Sequence, residues 1–153
     1  GVRTYAAEGV TIVTHEINRP YFERAAANSW ALASDRLAKS KNKMVFQTMG
    51  DNMVLTDGTR SVELYQITGN PHHDGIIMVY LRKEKILIEA DVFTPGPAGA
   101  EPPKVPNPQA VNLEANVRRL NIDVDQILPI HGRIVPYSEL QRVTTPPKPV
   151  EKK

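Results

Sequence analysis

Between residues 44 and 91 the chain is cut at short intervals by turn signals, and the stretches between the cuts are β-branched and apolar. That pattern commits the middle of the molecule to a run of strands. Residues 44–49 are the first. Gly50-Asp51-Asn52 is a turn, which predicts that residues 53–56 fold back on the first strand as a hairpin. Asp57-Gly58 is a second strong turn signal, and residues 60–67 are the third strand. A polar loop at residues 70–75 precedes Ile76-Ile77-Met78-Val79-Tyr80-Leu81, whose continuous apolar character suits a buried strand. The charged turn Arg82-Lys83-Glu84-Lys85 then leads through Ile86-Leu87-Ile88 into Glu89-Ala90-Asp91.

Helices flank this block. Residues 10–14 read as a short strand. Asn18 can cap a helix that takes Pro20 in its first turn and runs to about Trp30, with Phe22, Ala25, Ala26 and Trp30 at helical spacing. Residues 33–43 are polar and basic and read as a surface connection. Six prolines between residues 94 and 108 predict a loop without regular structure. Asn107 then caps a helix with Pro108 at its first position, and Ala110, Leu113, Val117 and Leu120 form its apolar stripe. Residues 127–130 are a last short strand, and residues 137–143 a final helical turn. The expectation is one α/β domain over residues 1–143, a mixed and largely antiparallel sheet covered by helices. Residues 144–153, with three prolines and three lysines, form a flexible tail.

Composition narrows the chemistry. The chain has 153 residues, enough to bury one core. It has no cysteine, which excludes disulfides, thiolate ligands and a Cys nucleophile. A net charge of +2 from 19 basic and 17 acidic residues is too balanced to imply nucleic acid. Arg36, Lys39, Lys41 and Lys43 are a solvated face, with no interleaved aromatics to stack bases. No apolar run approaches the roughly 18 residues of a membrane span. The compartment is left open, between bacterial cytoplasm and periplasm.

The residues with the most chemistry lie at strand ends. His72-His73-Asp74-Gly75 precedes the buried strand, Asp91 follows the next, and His131-Gly132 closes the last. Imidazole and carboxylate suit zinc and similar divalent ions, and strand ends are where a rigid scaffold presents functional groups. Taken singly, each of these residues reads first as a surface histidine or a turn aspartate.

Three stretches together resemble the metallo-β-lactamase superfamily. Gly69-Asn-Pro-His72-His-Asp-Gly-Ile-Ile-Met-Val-Tyr-Leu81 is similar to its third metal motif, Lys85-Ile-Leu-Ile-Glu-Ala-Asp91-Val-Phe93 to its fourth, and Ile127-Leu-Pro-Ile-His131-Gly132 to its fifth. The resemblance covers roughly residues 1–143 and implies that His72 and His131 are terminal metal ligands and Asp91 a bridging one. His73 matches no ligand position, Asp74 reads as turn-forming, and His15 reads as structural or exposed. The superfamily's first signature, His-x-His-x-Asp-His, is absent. Residues 1–9 resemble the family's segment immediately downstream of that signature, so the expectation is a C-terminal portion of the αββα sandwich.

The resemblance implies a zinc-dependent hydrolase, with one or two zinc ions in the parent protein. A metal-bound hydroxide would attack an ester-, lactone-, amide- or thioester-like small-molecule substrate. With the first motif missing, the chain alone is expected to be inactive, and no residue of its own is assigned as catalytic. Its sheet is expected to expose an apolar face that the N-terminal half, or a second copy, completes. The alternative is a non-catalytic α/β binding or interaction module on the same scaffold.

Overall fold

The computed structural model describes residues 1–145, and the chain divides into two compact units, residues 1–52 and residues 53 onward. Of the expected tail, residues 146–153 lie outside the described residues.

In the first unit, helix α1 (Val2–Ala7) leads into strand β1 (Thr11–His15). A single 3-10 turn, Glu16–Asn18, precedes α2 (Arg19–Ala27); the short α3 (Arg36–Lys39) and strand β2 (Val45–Met49) follow. β1 and β2 pair in parallel, from Thr11 opposite Val45 to His15 opposite Met49. Parallel neighbours need a crossover, and α2 and α3 supply it. Arg3 ties this unit together. Its guanidinium bonds both oxygens of Asp35 at 2.5 and 2.9 Å, donates to the Ala25 carbonyl at 3.1 Å, and lies 5.3 Å from the Trp30 ring centre. Asp35 also caps α3 through the Ala38 amide at 2.8 Å. Arg3 first, then that amide, holds the Asp35 carboxyl down at about 2.

Three sequence expectations change here. β2 is not the partner of the strand after it: β1 takes its pairing, and the following strand belongs to the other sheet. α2 stops at Ala27, short of Trp30, because Asn28 accepts the Trp30 amide at 3.3 Å and turns the chain. Asn18 holds the N-cap position, but its side chain donates to Thr14 Oγ1 at 3.3 Å.

The second unit is a six-stranded sheet in the order β3 (Asn52–Thr56), β4 (Ser61–Gln66), β5 (Ile77–Leu81), β6 (Ile86–Glu89), β7 (Gln126–Pro129) and β8 (Val135–Pro136). β3 and β4 are joined by the Asp57-Gly58 turn, where Asp57 Oδ1 accepts the amides of Thr59 and Arg60, each at 2.8 Å. β4–β5, β5–β6 and β7–β8 are antiparallel, while β6–β7 is parallel. Helix α4 (Pro108–Leu120) crosses between the two parallel strands, and α5 (Tyr137–Thr144) follows β8. Asn107 caps α4 as its sequence predicts, accepting the Gln109 amide at 2.8 Å.

Alternation assigns the two sheet faces. Met78, Tyr80, Leu87 and Ile127 are fully buried and pack with Ala110, Leu113 and Val117 of α4 and Leu140 of α5. The opposite parity is apolar as well. Ile77, Val79 and Leu81 of β5, Ile86 and Ile88 of β6, and Leu128 of β7 are half-buried. The registers align Leu64, Val79, Ile88 and Leu128 in one row across four strands. A sheet apolar on both faces is built to be covered on both. Among the described residues no helix is long and apolar enough to cross a membrane.

Candidate metal centre

The parallel register of β6 and β7 decides where two of the candidate ligands meet. Ile86 lies opposite Gln126 and Glu89 opposite Pro129. Continued two residues past the last pair, the same register sets Asp91 beside His131. Their side chains touch, His131 Nε2 to Asp91 Oδ1, at 2.9 Å. Both side chains stay open to solvent, at 61% and 49% exposure. The place is the carboxyl end of adjacent parallel strands, where α/β sheets commonly hold their ligands.

Backbone conformation lets both loops turn there. Asp91 has φ +68, which an aspartate tolerates better than most side chains. Gly132 has φ +106, and a Cβ at that position would sit 3.2 Å from the Pro95 ring. Beneath the pair, the Glu89 carboxylate is 2% exposed and accepts the amides of Val92 and Phe93, each at 3.2 Å, through Oε2. Burial pushes its carboxyl up to about 7, with the two amides pulling the other way and Asp91 adding to the rise.

His72 belongs to the loop between β4 and β5. Its amide donates to Asn70 Oδ1 at 2.9 Å, and Asn70 Nδ2 donates to Asn112 Oδ1 of α4 at 3.0 Å. Among the described residues, no three His, Asp or Glu side chains are grouped so as to hold a metal. Asp91 and His131 are brought together, and His72 does not join them in such a group. His73 Nδ1 accepts the Gly75 amide at 2.8 Å, and His15 Nδ1 accepts the Ile17 amide at 3.2 Å, so each ring is used within its own turn.

The donor set fits a divalent metal as a partial site. Ligand atoms around a tetrahedral zinc stand roughly 3.4 Å apart for bonds of about 2.1 Å. The Asp91–His131 contact is shorter than that spacing, a hydrogen-bond distance that a metal between the two would open slightly, and nitrogen and carboxylate oxygen are the expected donors. Beyond Asp91, the loop at residues 94–107 closes with α4 and α5 over a cavity of about 280 Å³, lined by Asp91, Phe93, Pro97, Ala110, Arg142 and Val143 among others.

Sequence reasoning did not single out Glu89 or Asn70. The signal for Glu89 was its parity: it falls on the same sheet face as the buried Leu87, where a carboxylate is out of place.

No family model matches the sequence, and no curated protein matches it. Solved structures do match. The architecture, a largely antiparallel mixed sheet with helices, is that of the metallo-β-lactamase fold. A metallo-β-lactamase from Pontibacter korlensis superposes with a TM-score of 0.62 at 17% identity, covering 94% of this chain and 60% of its own. Rubredoxin oxygen:oxidoreductase from Desulfovibrio gigas gives 0.60 at 18%, covering 88% and 36%. A metal-soaked flavodiiron core from Synechocystis gives 0.57 at 19%, covering 86% and 35%. This chain spans 60% or less of each of these structures.

Proposed function

We propose that the chain is part of a zinc-dependent hydrolase acting on an ester-, lactone-, amide- or thioester-like small molecule, with His72, Asp91 and His131 as its share of the metal ligands. The carrying observation is the 2.9 Å apposition of Asp91 and His131 at the carboxyl ends of β6 and β7. When bound, zinc lowers the pKa of its water to about 7 and stabilises the charge that develops on the substrate. The chain's own residues place two donors side by side on rigid strand ends, and hold the His72 loop to α4 through Asn70. The donors are nitrogen and oxygen without sulfur, a set that suits zinc and equally a first-row metal such as iron.

Three donors are enough for one zinc ion and too few for two, and without the first motif's share of a two-metal centre the chain alone is inactive in this reading. The apolar second face of the six-stranded sheet, and the 60% coverage of the Pontibacter korlensis enzyme, support a completing N-terminal half or a second copy as its partner. A second reading has one observation in its favour, that no three-donor group is assembled among the described residues. It makes the chain a non-catalytic binding module on the same scaffold.

Elemental analysis of the purified chain separates the two. Stoichiometric zinc that is lost in both Asp91→Asn and His131→Ala supports the metal site. Metal uptake equal in the variants and the unmodified chain overturns it.

A further inference from the structure

We infer that Glu89 is the positioning residue for the Asp91–His131 pair, holding with its side chain the arm that carries one and with its own carbonyl the arm that carries the other. The metal-affinity part of this inference rests on the metal site proposed above; the positional part does not.

Glu89 ends β6, where the paired register also ends. From that point it reaches both loops. On its own strand the chain reverses at Asp91, whose φ of +68 directs the next two amides back, and Glu89 Oε2 accepts both, from Val92 and Phe93, at 3.2 Å. The carboxylate therefore closes a loop of five residues with Asp91 inside it. Across the sheet, the Glu89 carbonyl accepts the Ile130 amide at 2.9 Å, one bond beyond the opposed Glu89 and Pro129. His131 is the next residue. One amino acid thus anchors the residue after Asp91 and the residue before His131.

Packing alone does not account for a glutamate here. Leu87, two residues earlier on the same face, is fully buried and apolar, and an apolar successor would extend the core at lower cost. Glu89 is buried with them, and its Oε1 has no hydrogen-bond partner among the described residues. A fold that keeps a half-satisfied carboxylate in such a place uses its other half. Here that half is two amide bonds, the contacts that fix the arm of Asp91. Outer contacts of this kind orient ligands, and their loss typically weakens metal binding about 10- to 100-fold.

The test compares Glu89→Gln, Glu89→Leu and Glu89→Asp in the full chain. Glutamine keeps an oxygen in reach of both amides, leucine keeps the bulk without an acceptor, and aspartate keeps the charge on a shorter arm. The first readout is amide hydrogen exchange at Val92 and Phe93; the second is the nitrogen spectrum of the His131 ring, with Asp91→Asn as reference; the third is zinc affinity by competition with a coloured chelator. Glu89→Leu and Glu89→Asp are expected to speed exchange at both amides, to shift the His131 ring as Asp91→Asn does, and to weaken zinc about 10- to 100-fold. Glu89→Gln is expected to stay near the unmodified chain in all three.

If leucine leaves exchange and the His131 ring unchanged, Glu89 does not position the pair. If the unmodified chain takes up no zinc, the metal site fails, and exchange and the ring spectrum still decide the role of Glu89. Should Glu89→Leu not fold, Glu89→Asp against Glu89→Gln carries the same comparison.

Discussion

Asn116 bonds the peptide of Thr68 on both sides: the Thr68 amide donates to Asn116 Oδ1 at 3.0 Å, and Asn116 Nδ2 donates to the Thr68 carbonyl at 3.0 Å. A side-chain amide on α4 thereby does for the end of β4 what a neighbouring strand would do. Asn112, one turn earlier, donates to the same carbonyl at 3.0 Å and accepts from Asn70, which in turn holds the His72 amide. Three asparagines join the helix to the loop of a candidate ligand.

Removing the first of them leaves the Thr68 amide without its acceptor; Thr68 is exposed, so the loss is that of an ordinary hydrogen bond, about 0.5–1.5 kcal/mol. Asn116→Leu is expected to lower the unfolding free energy by that amount in denaturant titration. Asn70→Ala is expected to speed exchange at the His72 amide while Asp91 and His131 keep their contact.

Glu63 is a buried source of acid sensitivity, beside the more exposed Asp35 and Asp57. This buried carboxylate takes two bonds from Arg82, at 2.6 and 2.8 Å, and one from the Tyr65 hydroxyl at 2.5 Å. The Arg82 bonds, more than Tyr65, hold its carboxyl below the ordinary 4.5, while burial opposes them. Because the folded value is the lower, the stabilisation is fully present above pH 4.5 and is lost as pH falls through the folded value. Glu63→Gln is expected to cost about 1–3 kcal/mol near pH 7. The gap to the unmodified chain is expected to narrow in melts below pH 4.5; a gap independent of pH would contradict this origin.

Leu113 lies on the buried face of α4 with no exposed surface. Leu113→Ala is expected to cost about 2–5 kcal/mol, the range for a leucine truncated in a packed core. Val111, on the same helix and 40% exposed, is the internal control: Val111→Ala is expected to change the melting temperature little.

Asn121 ends α4 in the left-handed conformation, φ 50 and ψ 42. Asn121→Gly is expected to leave stability within a few tenths of a kcal/mol, while a β-branched residue meets a penalty of about 1–2 kcal/mol there. Thermal melts of Asn121→Gly and Asn121→Val decide it.

Much of this architecture is legible where local signals agree. Asn107-Pro108 marks the start of α4, its stripe marks the buried face, and the runs ending at Leu81 and Glu89 fall where β5 and β6 lie. The hairpin expected at residues 44–56 failed because a turn signal says where a chain bends and not which strand it then meets. β2 found β1, more than thirty residues earlier, through a parallel pairing that no short pattern encodes. α1, with six residues and no side-chain cap, offers little periodicity to read. At the candidate site, Asp91 and His131 were legible as residues, while their contact depends on a register that only the folded sheet fixes. Glu89 was easy to pass over because a glutamate at a strand end is ordinarily solvent-facing, although its parity with Leu87 places it on the buried face.

The forty-residue separation of Asp91 and His131 in sequence has no bearing on how far apart the two stand. Their spacing is set by the rungs between β6 and β7, while the loop at residues 94–107 hangs outside the ladder. Pro95 and Gly96 lie against Gly132 and Arg133, but beyond them residues could be gained or lost without changing the register that sets the pair, so much of the wall of the neighbouring cavity can be redrawn while the strand ends stay put. Such a layout lets the region that would choose a substrate drift in length while the strand ends keep their aim.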